Sequence, residues 1–310
     1  MLAMLACMLG GILALTQGAL ESSYAGIGFL ALIPFALGAL ATGSGLGFYN
    51  SAGCIIAPVV LFAAIFPLVH YGFAEGLVCI LMALPFWLAA GLGGGLASYI
   101  AHRRMARDSI AKGSTKIRVS ALLALPFAVL LAEERNPAAW QERSVVRSVD
   151  IAAAPHEVWP LLLSIPGVTP DEGRATFTHD IAGIPRPSEA LLEQRGEVLV
   201  RAARWGEHIR FEERVTQFDP GRAIGWDFAF PDSSVQDYTD RHISPDGPLL
   251  KIASGGYRIE ALGKGRARVT LTTTYRMRSR LGWYLALWGE VLLGDVQDNV
   301  LTIIKTRAEA

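Results

Sequence analysis

The pattern of apolar and polar positions divides the chain into two parts. In the first part, apolar residues continue with few interruptions over five stretches, at residues 2–16, 26–41, 55–73, 77–100 and 119–132. In the second part, from residue 144 onward, apolar and polar residues alternate at every second position over several short segments. Long apolar runs predict buried or membrane-spanning helices, whereas alternation predicts strands with one buried face. The sequence therefore predicts a helical first part and a sheet-rich second part.

The charged residues follow the same division. Residues 1–100 contain two acidic residues, Glu21 and Glu75, and no Lys or Arg, so all 28 basic residues lie beyond position 100. A charge at the centre of a bilayer costs roughly 2.5–3.5 kcal/mol, and a hydrocarbon solvent explains this depletion. We predict that residues 1–132 form a transmembrane region of four to five helices in a bacterial plasma or inner membrane.

The five apolar stretches differ in length, and a membrane span needs about 17–25 apolar residues. The third and fourth stretches are long enough, the first two are short, and the fifth covers about 21 Å of a hydrocarbon core about 30 Å thick. The basic segment at 102–118 is expected in the cytoplasm. If segment 117–132 spans the membrane, which we favour, the second part is extracytoplasmic; if that segment lies in the interface, the second part is cytoplasmic.

The remaining motifs of the first part indicate helix packing. The glycine clusters TGSGLG at 42–47 and GLGGGLAS at 91–98 lack the Gly-Lys-Ser/Thr of a phosphate-binding loop. Glycines let membrane helices approach closely. Cys7, Cys54 and Cys79 have no CxxC partner and are expected to act as small apolar residues. From these motifs we expect no metal and no cofactor. The chain also lacks a basic patch with interleaved aromatic residues, so we expect no nucleic-acid partner.

The second part begins after a polar linker predicted at residues 133–143. Segment 144–151 predicts a strand, and Pro155 and Glu157 favour a helix start, because proline presets φ and an acid suits the helix N-terminus. The final segment, 281–310, has the periodicity of one long helix. Further strands are predicted at residues 197–205, 208–218, 223–230, 249–262 and 267–278. This order predicts an α+β domain at residues 144–310, with an antiparallel sheet around a long C-terminal helix.

Three segments of this domain resemble the START-like (SRPBCC) superfamily, and in particular polyketide cyclase/dehydrase-like domains. They are DIAAAPHEVWPLL from residue 150, FEERVTQFDPGRAIGW at 211–226 and GGYRIEALGKGRARVTLTTTY at 255–275. The resemblance covers residues 144–310 and implies a helix-grip fold with an internal cavity. It implies little about activity, because members of the superfamily range from enzymes to lipid-transfer and coenzyme-Q-binding proteins.

One charged residue interrupts an inward-facing strand surface. Alternation over 208–218 places Glu213 on the same face as Phe211. A buried carboxylate must be paired, hydrogen-bonded or neutral. Glu213 is therefore either a polar anchor or acid within a cavity, or one half of a structural ion pair with Arg201 or Arg204. We favour the ion pair, since such pairs often perturb carboxylates.

Inward-facing positions of the neighbouring strands are candidates for the lining of a cavity. An apolar lining with a few hydroxyl groups suits a ligand pocket, although aromatics at this spacing also build ordinary cores. The candidates besides Glu213, Phe211 and Arg201 are Trp226, Tyr257, Thr273 and Tyr275. His179 and His242 lie near loop-like segments and are expected at the surface, and Ser254 lacks the G-x-S-x-G setting of a hydrolase.

Three functions remain open on these observations. The leading hypothesis is a membrane-anchored START-like domain that binds a hydrophobic small molecule or lipid in an internal cavity, close to the lipid bilayer. The second is a cyclase/dehydratase-type enzyme that uses Glu213 as an acid or base. The third is an interaction or regulatory protein of a membrane complex, with a cavity filled by its own side chains.

Overall fold

The computed structural model describes residues 26–43, 52–72, 76–105, 114–169, 171–239 and 244–310. They fall into two compact units. We call the first the helical unit, within Met1–Ala139 and Arg278–Leu281, and the second the sheet unit, within Trp140–Met277 and Gly282–Ala310. The first predicted apolar stretch, residues 2–16, lies outside the described residues.

Apolar helices that meet at aromatic rings make up the described part of the helical unit. The ring centroids of Phe29, Phe62 and Phe66 lie 5.5, 5.7 and 5.9 Å from that of Trp87. Such tilted and edge-on contacts are favourable arrangements for aromatic pairs. The helices are α1 (Gly28–Gly43, beginning with the π-helical turn Gly28–Leu32), α2 (Gly53–Pro67, followed by the π-helical turn Leu68–Gly72), α3 (Leu77–Met105) and α4 (Ser114–Arg135).

Glycines allow α1 and α3 to touch through their backbones. A Cβ atom placed on Gly38 would lie 2.0 Å from the carbonyl oxygen of Gly91, and one on Gly94 would lie 1.9 Å from that of Phe35. Neither position has room for a side chain. The glycine cluster at 91–98 therefore lies at a helix–helix contact, whereas most of the cluster at 42–47 lies outside the described residues.

One helix in the described part of the chain, Leu77–Arg104, is long and apolar enough to cross a membrane. The prediction of four to five spans is therefore not supported. A span needs about 20 residues, and α2 has 15, with α1 also in the shorter class. The sequence of α4 includes Lys116 and Arg118 at its start and Glu133 at its end, which interrupt its apolar run.

The sheet unit contains seven strands and four helices in its described residues. Helix α5 begins at Pro155 as predicted, and the Glu157 carboxylate accepts a hydrogen bond of 2.7 Å from the backbone N–H of Ala154. The elements in chain order are β1 (Trp140–Ile151), α5 (Pro155–Leu163), α6 (Phe177–Asp180), β2 (Pro187–Arg195), β3 (Val198–Trp205), β4 (Ile209–Asp219), β5 (Ala223–Ala229), α7 (Ser234–Tyr238), β6 (Leu250–Gly263), β7 (Arg266–Arg278) and α8 (Gly282–Ala308).

The strands form one antiparallel sheet in the order β1-β7-β6-β5-β4-β3-β2. From β2 to β7 each strand pairs with the next along the chain, and β1 lies beside β7. The turn between β6 and β7 places Gly263, Lys264 and Gly265 in the left-handed region, with φ of 78°, 53° and 70°. Glycine adopts this region without a steric penalty, which explains the Gly-Lys-Gly sequence that predicted the turn.

The long helix α8 and the short helix α5 bury their apolar sides against one face of the sheet, which we call the inner face. Leu301, Ile303 and Ile304 of α8 and Val158 and Leu162 of α5 belong to one buried cluster with residues of β5, β6 and β7. Burying such side chains supplies the main favourable free energy of folding, about 1.5–3 kcal/mol for each one. The predicted α+β helix-grip architecture is confirmed.

Three elements were not predicted from the sequence: the edge strand β2 and the short helices α6 and α7. Strand β2 lies at the edge of the sheet, and none of its residues is fully buried. It therefore lacks the alternation of buried and exposed positions by which strands are recognised. Strand β1 begins at Trp140, earlier than the predicted start at residue 144, and α4 ends at Arg135.

The end of α8 is tied to the segment after α5 by a two-point ion pair. Arg307 donates from Nε to Glu172 Oε2 at 2.6 Å and from Nη2 to Glu172 Oε1 at 2.8 Å. The same guanidinium donates to the carbonyl oxygens of Pro166 and Gly167. The Arg307 hydrogen bond is the main reason that the pKa of Glu172 is lowered to about 2.

Glu172→Gln should weaken the sheet unit at neutral pH but not in strong acid. The folded-state pKa of Glu172 is depressed, so its stabilisation is present above the unfolded value near 4.5 and is lost as pH falls toward about 2. The free energy of unfolding, measured by urea denaturation of the full chain across this range, should converge for wild type and variant at the acid end. The exposed Glu207→Gln should match wild type throughout; parallel curves for Glu172→Gln would contradict the assignment.

Candidate functional site

Four of the residues predicted to line a cavity lie on the inner face in two neighbouring rows. Cross-strand register aligns Arg201 of β3 with Glu213 of β4. It also aligns Trp226 of β5 with Gly255 of β6, and Gly255 with Thr273 of β7. Residues directly opposite each other in antiparallel strands project to the same face. The sheet therefore places an ion-pair row and an indole row next to each other on its inner face.

Arg201 and Glu213 form a buried ion pair between Arg201 Nη1 and Glu213 Oε2. Arg201 is 1% exposed and Glu213 8%. Arg201 also donates from Nε to the carbonyl oxygen of Leu163 at the end of α5, at 3.1 Å. Of the two arginines proposed as partners, Arg204 instead lies near the surface and pairs with Glu189 at 3.2 Å. The ion-pair interpretation of Glu213 thus describes its contact in the structure.

Two aromatic rings lie beneath the Arg201 guanidinium. Its central carbon is 4.8 Å from the ring centroid of Trp226 and 5.3 Å from that of Tyr257. Cation–π contacts of this kind contribute about 2 kcal/mol or more when they are shielded from water. Arg201 is therefore held by a carboxylate, a carbonyl oxygen and two aromatic faces, which fixes its position in an otherwise apolar region.

Burial shifts the titration of two groups around Arg201. Removal from water raises the pKa of Glu213, and the positive charge of Arg201 opposes this shift. Burial also raises the pKa of Tyr257 to about 12, again against the effect of Arg201. Tyr257 therefore stays a neutral phenol at physiological pH, and desolvation is the main influence on both groups.

The indole row ends at a helix residue that the sequence did not single out. Gln297 of α8 donates from Nε2 to Thr273 Oγ1 at 2.8 Å and to the carbonyl oxygen of Val145 at 3.0 Å. Gln297 is 1% exposed and lies within an apolar helix surface. The sequence signal that could have identified Gln297 is a polar amide among the regularly spaced apolar positions that predicted α8, because a buried amide needs hydrogen-bond partners.

The other two predicted lining residues lie in separate clusters. Phe211 packs with Trp205, Phe228 and Phe230 at ring distances of 5.5, 5.9 and 6.1 Å. Tyr275 belongs to a cluster with Val145 and Met277. The structure thus joins four of the seven candidates in one contact group (Arg201, Glu213, Trp226 and Tyr257), places Thr273 next to it, and separates Phe211 and Tyr275 from it.

His179, which was expected at the surface, is buried at 8% exposure. Its Nδ1 lies 2.9 Å from the carbonyl oxygen of Ile184, and its ring contacts Trp205 edge-on. Burial lowers the pKa of His179, so the imidazole is neutral at physiological pH. The loop-like sequence around His179 gave no indication of its contacts with Ile184 and Trp205. His242, the second histidine considered, lies outside the described residues.

The inner face combines an apolar surface with a few fixed polar groups. Within the ranges that the structure describes, no group of three His, Cys, Asp or Glu residues is placed to hold a metal ion. The polar groups instead consist of one ion pair, one phenol, one hydroxyl and one amide. Such a set orients a ligand by hydrogen bonds while aromatic and aliphatic side chains supply contact area.

Residues 142–309 match the sequence profile of the family described as polyketide cyclase/dehydrase and lipid transport. The resemblance that residues 144–310 showed in sequence is confirmed in this form. A search of curated proteins gave no match.

Solved structures similar to the chain include an aromatase/cyclase, ZhuI from Streptomyces sp. R1128, with 18% identity, 55% of this chain and 94% of that chain covered, and a TM-score of 0.34. Truncated norcoclaurine synthase from Thalictrum flavum shows 12% identity, with 55% and 97% covered and a TM-score of 0.32. The di-domain ARO/CYC BexL from the BE-7585A biosynthetic pathway shows 14% identity, with 71% and 63% covered and a TM-score of 0.35.

Glu213→Gln should destabilise the sheet unit by about 3–5 kcal/mol, because it leaves the buried Arg201 guanidinium without a carboxylate. The double variant Arg201→Met, Glu213→Leu should recover most of this loss, since it removes both charges. The measurement is the free energy of unfolding of the full chain by urea denaturation, followed by circular dichroism.

The matched control is Glu189→Gln, which breaks the Arg204 pair near the surface and should cost no more than about 1 kcal/mol. A loss at Glu213→Gln as small as that at Glu189→Gln would show that the buried pair does not organise this part of the sheet.

Proposed function

Because the chain belongs to the polyketide cyclase/dehydrase and lipid transport family, we propose that its sheet unit binds a hydrophobic small molecule or lipid between the inner face and α8. The observation that carries this proposal is the buried Arg201–Glu213 pair on an apolar surface. Replacing a buried ion pair by well-packed apolar residues is often neutral or stabilising. Stability alone therefore does not account for the pair, whereas a polar anchor for a ligand does.

The surroundings of the pair favour a ligand that is apolar over most of its surface. Trp226 and Tyr257 present their ring faces to the guanidinium, and Phe228 packs edge-on against Trp226. Ligand sites combine such a lining with a small number of placed polar groups that fix orientation. The ligand class that fits is thus a hydrophobic molecule with a minor polar part.

We further propose that the chain holds this binding domain at a membrane through α3. The support is the length and apolar character of Leu77–Arg104. Trp283 and Leu287 of α8, which are 60% and 57% exposed, suit the boundary between water and lipid. Attachment to a bilayer would raise the local concentration of a lipid-derived ligand without any new contact.

A cyclase-type enzyme is the second candidate, and one observation favours it. Glu213, with a pKa raised by burial, and Tyr257, a phenol with a pKa of about 12, both lie beside Arg201. A carboxyl group and a phenol on one apolar surface can donate and accept protons during the cyclisation or dehydration of a bound molecule. Binding is the stronger candidate because it requires only an apolar surface with fixed polar groups, whereas catalysis also requires Glu213 to exchange a proton while it is paired with Arg201.

Binding is tested by identifying what the full chain carries. The chain is purified in lipid nanodiscs, and native mass spectrometry with organic extraction should reveal one reproducible apolar compound per chain that empty nanodiscs lack. Thr273→Phe, which fills the inner face, should lose the compound. Thr272→Phe, at the neighbouring outward position of β7, should retain it, because the two residues project to opposite faces. Absence of any compound from the folded wild-type chain, or equal loss from both variants, would contradict the proposal.

The enzyme candidate is tested on the extracted compound and its linear precursors by following conversion against pH. Turnover that depends on pH and disappears in Glu213→Gln, while the compound still binds, would establish catalysis. Binding without turnover in the wild-type chain would leave the protein a carrier.

A further inference from the structure

The indole of Trp226 is fixed on the inner face with its N–H group unused. Arg201 lies over the ring, and a Cβ atom placed on Gly255 would be 2.8 Å from Trp226 Nε1. The absence of a side chain at Gly255 therefore makes the room that the indole occupies. Trp226 is 2% exposed, and its Nε1 has no acceptor among the described residues.

The amide of Gln297 is fixed with the complementary group unused. Its Nε2 donates to Thr273 Oγ1 and to the carbonyl oxygen of Val145, which uses both amide hydrogens. If the amide were rotated by 180°, Gln297 Oε1 would face the carbonyl oxygen of Val145, and two acceptors would be in contact. The hydrogen bond to Val145 therefore determines the orientation of the amide. Gln297 Oε1 is consequently an acceptor, and in the part of the chain that the structure describes it has no donor.

The two unused groups belong to one patch of the inner face. Trp226, Gly255 and Thr273 lie in register across β5, β6 and β7, and Gln297 is bonded to Thr273. Buried polar atoms without partners are uncommon in folded proteins. One donor and one acceptor in the same patch are both satisfied by a single hydroxyl group, because its oxygen accepts and its proton donates.

We propose that Trp226 Nε1 and Gln297 Oε1 bind one hydroxyl group of an otherwise apolar ligand, and that this pair selects hydroxylated molecules over fully apolar ones. The inference rests on the proposed binding function and names the ligand class for the same site. Thr273 acts as a positioning residue, since it holds the Gln297 amide. A trapped water molecule has the same hydrogen-bonding chemistry and is the alternative source of the hydroxyl.

Two probes of similar size and shape, 2-naphthol and 2-methylnaphthalene, separate these sources. Their dissociation constants are measured by calorimetry near neutral pH with the full chain in lipid nanodiscs, and empty nanodiscs correct for partitioning into lipid. Wild type should bind 2-naphthol at least about tenfold more tightly than 2-methylnaphthalene. Trp226→Phe and Gln297→Met should each reduce this preference to within about threefold.

Trp159→Phe provides the matched control, because it removes an indole from helix α5 of the same core and should keep the wild-type preference. Equal binding of both probes by wild type would overturn the hydroxyl assignment, as expected if a water molecule occupies the patch, while leaving the binding function intact. An unchanged preference in both folded variants would also overturn it. If the folded wild-type chain binds neither probe above the blank, the binding function and this inference fail together.

Discussion

The buried ion pair between Arg201 and Glu213 is the interaction on which the arrangement of the inner face depends. It joins β3 to β4 at the position set by their register, and through Leu163 it joins the sheet to α5. Removing two charges from water costs several kcal/mol for each ion, which only close pairing and further hydrogen bonds offset. The aromatic faces of Trp226 and Tyr257 add to that compensation, because both rings lie against the buried guanidinium.

This arrangement gives the inner face a polar centre within a largely apolar core. The rest of the covered surface is aliphatic and aromatic, with α8 contributing Leu301, Ile303 and Ile304. A molecule bound there would contact apolar side chains along its length and meet fixed polar groups near Arg201 and Gln297. Shape and apolar area would set its affinity, and the few polar groups would set its identity.

Alternation and turn chemistry predicted most of the sheet unit, because strands with one buried face carry a period of two. Alternation alone places Glu213 on the buried face of β4. Strand β2 was not predicted because it buries no residue completely. The role of Gln297 was not predicted because its hydrogen-bond partners lie in β1 and β7, distant in sequence. The contact of Trp226 with Gly255 depends on strand register, which side-chain periodicity alone does not determine.

In the first part of the chain, composition correctly indicated apolar helices but overestimated how many can span a bilayer. Helix length decides this question, and among the described helices it singles out the one at Leu77–Arg104. The glycines of α3 have a direct structural explanation, because α1 approaches them at backbone contact. Charge depletion thus reports an apolar environment, which tightly packed helices and lipid can both provide.

Above all, we propose that the inner face holds an apolar molecule beside Trp226. The most direct measurement is an experimental structure of the full chain, purified without added ligand, at a resolution that shows ordered water. We expect continuous elongated density between α8 and the sheet, with a polar end within hydrogen-bonding distance of Trp226 Nε1 and Gln297 Oε1. Side chains in direct contact across the whole inner face, with no density other than isolated water, would contradict the account.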